Sequence, residues 1–354
     1  MKLDCLIIGQ GICGTFLAHE LEKAGLSYLV IDESKPHTAS KAAAGIINPI
    51  TGRRMVKTWM IDELFPFAMN AYEEIGKSLV IQCITRKSLI DFFPSPQMRI
   101  AFLKRLEEDP HWLRISGEEK AWSRWFNYEF GFGEIEPCCL IDLNLLIPAF
   151  RKKLAESEKL REEKFYFEKV KLTSEGLEYE GLEANKLILC DGISSCSNPI
   201  FEKLPFAPNK GEAMLVEIDQ LPANQIYKRG LSLVPWVDNV FWIGSSYAWE
   251  FSDEQPSMAF REKTEQLLKD WLRLPFRILD HFASLRPATL ERRPFVGFHP
   301  KHSQIGILNG MGTKGCSLAP YFAAQLKANI MNQSPIHPEA DILRHSRILS
   351  RSFL

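Results

Sequence analysis

Gly9, Gly11 and Gly14 stand between a short apolar run, "DCLIIG", and a stretch of helical periodicity, "GTFLAHELEKAG". In that setting G-x-G-x-x-G is a phosphate cradle. The first glycine permits the tight turn, the second admits a pyrophosphate against the backbone, and the third lets helix and strand pack closely. The helix N-terminus then turns free N–H groups and a positive dipole end toward the phosphates. Asp32 closes the next apolar strand, "SYLVID", where an acid accepts hydrogen bonds from ribose hydroxyls. These residues predict a dinucleotide site, with Ile12, Cys13 and Glu33 beside them. An acid on a ribose does not separate NAD from FAD.

A second cluster lies near the other end, in "LNGMGTKGCSLAPYFAAQL" (308–326). Gly310, Gly312 and Gly315 allow a close backbone approach just before an amphipathic helix, and Lys314 adds a full positive charge. Alone, this reads as a turn and a helix start.

The elements that must carry these loops are legible in outline. A strand, helix and strand occupy the first thirty or so residues, with Gly25 as the helix C-cap. Residues 60–130 are aromatic, charged and mostly helical in pattern, interrupted by Pro94, Pro96 and Pro110. Residues 141–160 predict another amphipathic helix. "KFYFEKVKLTSEGLEYEGLEANKLILCDG" reads as short strands turning at "SEG" and closing in a buried strand. Alternation over 210–250 predicts antiparallel strands, 257–273 a helix, and "FVGFHP" with "QIGILNG" a turn and a strand.

Composition bounds the function. The 354 residues exceed one small core and suggest two lobes. Forty-three basic and 44 acidic residues leave a net charge of −1, so no global field draws in nucleic acid or an anionic membrane. No stretch approaches the roughly 20 apolar residues of a membrane span, and the first residues lack a signal-peptide pattern. The expected location is cytoplasmic. None of the eight cysteines forms a C-x-x-C pair, and reduced thiols are expected. His299 and His302 sit in a Pro-containing turn with no third ligand nearby, so no metal is expected.

"HTASKAAAGIINP" (37–49) resembles the stretch that runs beside the flavin in the D-amino-acid-oxidase-like flavoprotein family, which includes glycine and sarcosine oxidases. Further segments follow in the family's order. "KLILCDGISS" is similar to the strand that closes the nucleotide lobe, "KGEAML" to the opening of the substrate sheet, and "LVPWVDNVFWIGSSYAWE" to its meander. "LRPATLERRPFVG" (285–297) and "NGMGTKGCSLAP" complete the series. The resemblance covers essentially the whole chain.

It implies a two-lobed α/β fold: a Rossmann-like FAD-binding lobe of the GR2 type and an inserted antiparallel-sheet substrate lobe. The expected FAD lobe is discontinuous (1–75, 141–209 and 285–354), and the substrate lobe takes 76–140 and 210–284. Implied FAD contacts add Ser40, Ala43, Ala44, Gly45, Ile46, Val170, Gly192, Met311 and Thr313 to the residues above. The loop before the last helix would wrap the isoalloxazine ring, where Lys314 and the helix N-terminus stabilise charge at N1–C2=O.

By the same resemblance Arg286 is the partner of a substrate carboxylate, a task suited to its planar fork. Lys314 falls where sarcosine-oxidase-like members carry a carboxylate-holding lysine. Several positions depart from the pattern. Ser232 replaces a tyrosine, leaving Tyr247 and Trp249 to supply the aromatic wall. Met311 replaces a histidine, Thr313 an arginine, and Glu291, Arg292 and Arg293 a D-G-k turn. No cysteine lies in the segment that binds flavin covalently in sarcosine oxidases, so FAD is expected to be non-covalent. Arg53 and Arg54 are placed to approach the pocket mouth.

The expected activity is oxidation of the C–N bond of a small amino acid or amine by hydride transfer to flavin N5, giving an imine that water hydrolyses. Oxygen or a carrier would take the electrons. Two alternatives stay open: a flavin-dependent oxidase step in tRNA wobble-uridine modification, and a non-catalytic flavoprotein or NAD-binding module.

Overall fold

The computed structural model describes residues 2–115, 118 and 120–351. Two large sheets organise it. The first is built on five parallel strands in the order Ile305–Asn309, Leu182–Leu189, Leu3–Ile8, Tyr28–Ile31 and Leu160–Arg161. Both of its faces are covered. Cys5 and Ile7 enter one core cluster while Leu6 and Ile8 enter another, which is why "CLII" is continuously apolar rather than alternating. The hairpin Lys171–Thr173 and Gly176–Tyr179 turns at "SEG" and extends one edge antiparallel.

The first helix, Ile12–Lys23, ends on Ala24, and Gly25 beyond it takes the left-handed conformation with φ +70°. It packs with the helices Ile61–Leu79 and Gly315–Asn332. Phe16 meets the edge of Tyr72 at 4.9 Å, and the Tyr72 hydroxyl donates to the Cys316 carbonyl at 3.0 Å. A buried aromatic pair of this kind adds about 0.5–1.5 kcal/mol beyond its area burial. The packing sets the two glycine-rich loops side by side.

Among the described residues the second sheet has nine strands. Its main path runs Arg277–Arg286, Asn209–Glu217, Val240–Gly244, Leu231–Val237, Ile226–Arg229, Ile84–Phe92, Phe132–Ile141 and Ile46–Ile47. The predicted antiparallel run over 210–250 forms its centre. The segment 60–130 needs correction: helices Ile61–Leu79 and Pro96–Glu108 are present, but the nine-residue strand Ile84–Phe92 runs between them. Positions 116, 117 and 119 of that segment lie outside the described residues. Its sequence, "ITRKSLIDF", lacks period-2 alternation because the first half is largely exposed and the second half fully buried. Phe132–Ile141 is masked by Pro137, which falls where the ladder with Ile84–Phe92 shifts register and no donor is required. Arg277–Arg286 is an edge strand with a polar, mostly half-exposed sequence.

Candidate active site

A cavity of about 2000 Å³ is lined by residues of both sheets and by both glycine-rich loops. This is roughly twice the upper end of the 300–1000 Å³ that holds a drug-sized ligand. It has room for a dinucleotide and a second small molecule.

The front loop is shaped by what cannot be there. A Cβ on Gly9, whose φ is +96°, would stand 2.6 Å from the Cys190 carbonyl oxygen. One on Gly14 would stand 1.9 Å from the Gly9 carbonyl oxygen. Gly14 does not itself line the cavity; it lets the helix sit against the strand. Gly11 is the helix N-cap and has no side chain of its own to cap that terminus. Ser40 Oγ accepts the Ile12 N–H at 3.1 Å, and Ile12 and Cys13 form wall. An open cradle at a helix N-terminus whose N-cap is glycine fits a pyrophosphate.

Asp32 is held from three sides. Its carboxylate accepts the Gln10 N–H, the Ser34 N–H (each at 2.8 Å) and Arg151 Nη1 at 2.7 Å. Arg151, from helix Leu143–Glu156, also bonds Glu162 at 2.7 Å. Nothing in the sequence separates Arg151 from Lys152 and Lys153 beside it. Glu33 lines the wall and pairs with Lys35 at 2.8 Å.

Ser40, Ala43, Ala44, Gly45 and Ile46 all line the cavity. Gly45 has φ +77°, and a Cβ there would meet the Ile141 carbonyl oxygen at 1.9 Å. Trp242 Nε1 donates to the Ala42 carbonyl at 3.1 Å, tying this stretch to the second sheet. Gly192 lines the opposite wall. Beside it Asp191, not singled out in the sequence, accepts a hydrogen bond from the Ser195 hydroxyl. Asn309 Nδ2 reaches Ser195 Oγ at 2.9 Å and the Gly192 carbonyl at 2.8 Å, and Asn309 Oδ1 accepts the Gly310 N–H at 2.8 Å. Burial pushes the Asp191 carboxyl up to about 6. Val170 is outside the cavity wall. It packs against the cluster around Leu6 and Ile8, and Glu163, Lys164 and Phe165 supply the wall in its segment.

Gly310, Met311, Gly312, Thr313, Lys314 and Gly315 form one contiguous stretch of wall. Gly310 needs its left-handed φ of +77°, and a Cβ there would meet Thr289 Cγ2 at 2.8 Å. Burial pushes the Lys314 ammonium down to about 8; Cys138 opposes the shift and Lys228 adds to it. Burial also pushes the Cys13 and Cys316 thiols up to about 12, so both stay protonated.

Arg286 ends the edge strand and faces the cavity. Its Nη1 donates to Asn209 Oδ1 at 2.8 Å and to the Ser246 carbonyl at 3.1 Å. Its guanidinium carbon lies 4.9 Å from the Tyr247 ring centroid. Ser232 and Trp249 line the same cavity. The departing segment 291–293 makes a closed turn: Thr289 Oγ1 accepts the Arg293 N–H at 3.1 Å, Glu291 receives Arg344 at 3.3 Å, and Arg293 bonds Glu339 at 2.6 Å. Arg293 also lies over Trp59 at 4.3 Å, and both reach the wall. Arg53 and Arg54 are exposed and outside it. His299 Nδ1 accepts the Lys301 and His302 N–H groups, each at 3.2 Å. Among the described residues no group of three or more His, Cys, Asp or Glu is placed to hold a metal, and no helix is long and apolar enough to cross a membrane.

Residues 4–328 match the DAO family of FAD-dependent oxidoreductases. The chain belongs to that family and is an FAD-dependent oxidoreductase. Among curated proteins, glycine oxidase of Bacillus subtilis (strain 168) is 29% identical over 157 residues, a stretch covering 42% of each chain. The match thus spans about two-fifths of that relative's length. Among solved structures, glycine oxidase from Geobacillus kaustophilus superposes with a TM-score of 0.80 at 19% identity, covering 100% of both chains. Iminodiacetate oxidase from Chelativorans sp. BNC1 superposes at 0.76 with 18% identity, covering 97% of this chain and 98% of that one. At these identities the superpositions establish a shared fold.

Proposed function

We propose that the cavity oxidises the C–N bond of a small carboxylated amine. The observation that carries this reading is Arg286: a guanidinium facing the cavity whose hydrogen-bond acceptors, Asn209 and Ser246, are both neutral. A half-buried cation so placed favours an anion, and the planar fork suits a carboxylate. The relatives named as glycine and iminodiacetate oxidases act on substrates of that kind.

Arg286 would fix the carboxylate and so orient the α-carbon, and Tyr247 would limit its movement from the other side. The small residues around Gly310, Gly312 and Gly315 admit a flat ring, and the start of helix Gly315–Asn332 and Lys314 supply positive potential beside it. When bound there, FAD would supply the acceptor for the substrate's α-hydride, and water would hydrolyse the resulting imine. An amine bound neutral requires no general base. With no cysteine in 286–296, the cofactor would be held without a covalent bond. The first sheet would centre the FAD lobe (1–75, 141–209, 285–354) and the second the substrate lobe (76–140, 210–284). Oxygen or a carrier protein would take the electrons.

The test is turnover of matched pairs, each an amino acid and the amine left by its decarboxylation. The reading expects only the carboxylated member to be oxidised efficiently. Equal rates for both members, or no oxidation of either, would end it.

A further inference from the structure

We infer that the cavity takes an amine with two carboxylates, the second bound at a subsite made by Lys228 and Lys314. This rests on the reading that Arg286 binds the first. Lys228 lies on strand Ile226–Arg229 and lines the cavity. The ladders place it opposite Ser232, Ser232 opposite Gly244, and Gly244 opposite Ala213. All four belong to the cavity wall. They form a row across the second sheet, leading from Lys228 to the strand that carries Gly211 and receives the Arg286 guanidinium.

That row is low. Ser232 and Ala213 rise by one or two heavy atoms, and over Gly244 lies the Trp242 indole, its edge 2.7 Å from where a Cβ would stand. Three strand spacings separate Lys228 from the Gly211 strand, about 14 Å between backbones before the side chains reach inward. Such a trough suits two carboxylates joined by a chain of several atoms. A single α-carbon does not span it.

The charges agree with the shape. Lys228 Nζ pairs with Asp91 Oδ2 at 2.5 Å, and Asp91 is fully buried. Lys314 acts electrostatically with Lys228 and Cys138, and among the described residues its ammonium has no hydrogen-bond or ion-pair partner. This end thus carries two ammonium groups and one carboxylate, Asp91, which pairs with Lys228, while among the described residues Arg286 at the other end has only neutral acceptors. One monocarboxylate compensates one of the two excess charges. A dicarboxylate compensates both.

The experiment titrates the holoenzyme with unreactive linear dicarboxylates and with monocarboxylates of equal length, read by calorimetry. The expected result is binding at least tenfold tighter for a dicarboxylate of fitting length. Removing Lys228 with its partner Asp91 would leave the excess charge unchanged, so the diagnostic variant is Lys314→Met, which removes an ammonium without unpairing a buried acid. At equal flavin content it should weaken dicarboxylates at least tenfold more than monocarboxylates, and Lys228→Arg should keep the preference. Equal binding of the two series by the wild type overturns the second subsite while leaving Arg286 in place. So does a Lys314→Met variant that weakens both series alike. Failure of either series to bind overturns the Arg286 reading as well.

Discussion

The Arg286 guanidinium occupies the space a side chain at Gly211 would fill: a Cβ there would stand 1.7 Å from Nη2 and 2.0 Å from Cζ. The absence of a side chain on one strand thus sets the position of a charge on its neighbour. Gly211→Ala should push the guanidinium off Asn209 and misplace it by more than an ångström. The expected outcome is a KM for the carboxylated amine raised at least tenfold, with flavin content unchanged. Steady-state kinetics alongside the ratio of flavin to protein absorbance check it; an unaltered KM would detach Arg286 from the substrate.

The front loop makes a separate prediction. Gly14→Ala puts a methyl 1.9 Å from the Gly9 carbonyl oxygen, and backbone cannot yield as a flexible side chain can. The helix must move, at a cost of about 1–3 kcal/mol or more, and the pyrophosphate cradle moves with it. Purified Gly14→Ala should be largely colourless and melt lower. Gly25→Ala is the control: φ is +70° but nothing lies within 4 Å. It should lose stability through backbone strain of about 1 kcal/mol and keep its flavin.

Asp191 gives a pH signature. Burial raises its carboxyl from 3.8 to about 6, so between those values the folded chain binds more protons than the unfolded one. This group's contribution to stability therefore falls as pH rises through that window. Asp191→Asn removes the ionised form while keeping an acceptor for Ser195. The variant apoprotein should gain about 1–3 kcal/mol at neutral pH and little near pH 4. Thermal melts at the two pH values decide it; a gain equal at both would locate the effect elsewhere.

Lys314 titrates on the other side of neutrality. Its ammonium, brought down from 10.5 to about 8 by burial, is lost as pH rises through that value. Anions bound beside it should bind more weakly there, by up to tenfold per pH unit. The inhibition constant of an unreactive dicarboxylate, followed across that range, is the readout. Lys314→Arg should flatten the profile, because a guanidinium stays charged.

The sequence carried the cofactor side of the cavity further than the substrate side. Gly9, Gly14 and Asp32 are fixed by local geometry, a turn and a strand end, and local geometry is written in consecutive residues. The same holds for Gly310 and Gly312 before their helix. Arg151 bonds Asp32 from a helix more than a hundred residues away, and Lys228 meets Asp91 across a parallel ladder. No spacing in one chain announces such pairs. Strand Ile84–Phe92 was hidden because one half faces solvent and the other the core, and strand Arg277–Arg286 because an edge strand has little need of apolar alternation. Gly211 belongs to the family-like segment "KGEAML"; its purpose, room for Arg286, appears only in three dimensions.

The central claim is that a carboxylated amine, held by Arg286, reduces the FAD of this chain. The most direct measurement is the visible spectrum of the purified holoenzyme in an anaerobic cuvette, before and after adding amino acids with one and two carboxylates. Bleaching of the oxidised flavin bands by such an amine, with the concentration for half-maximal bleaching raised at least tenfold in Arg286→Ala, is the predicted result. Flavin that no carboxylated amine bleaches, or bleaching that Arg286→Ala leaves unchanged, would contradict it.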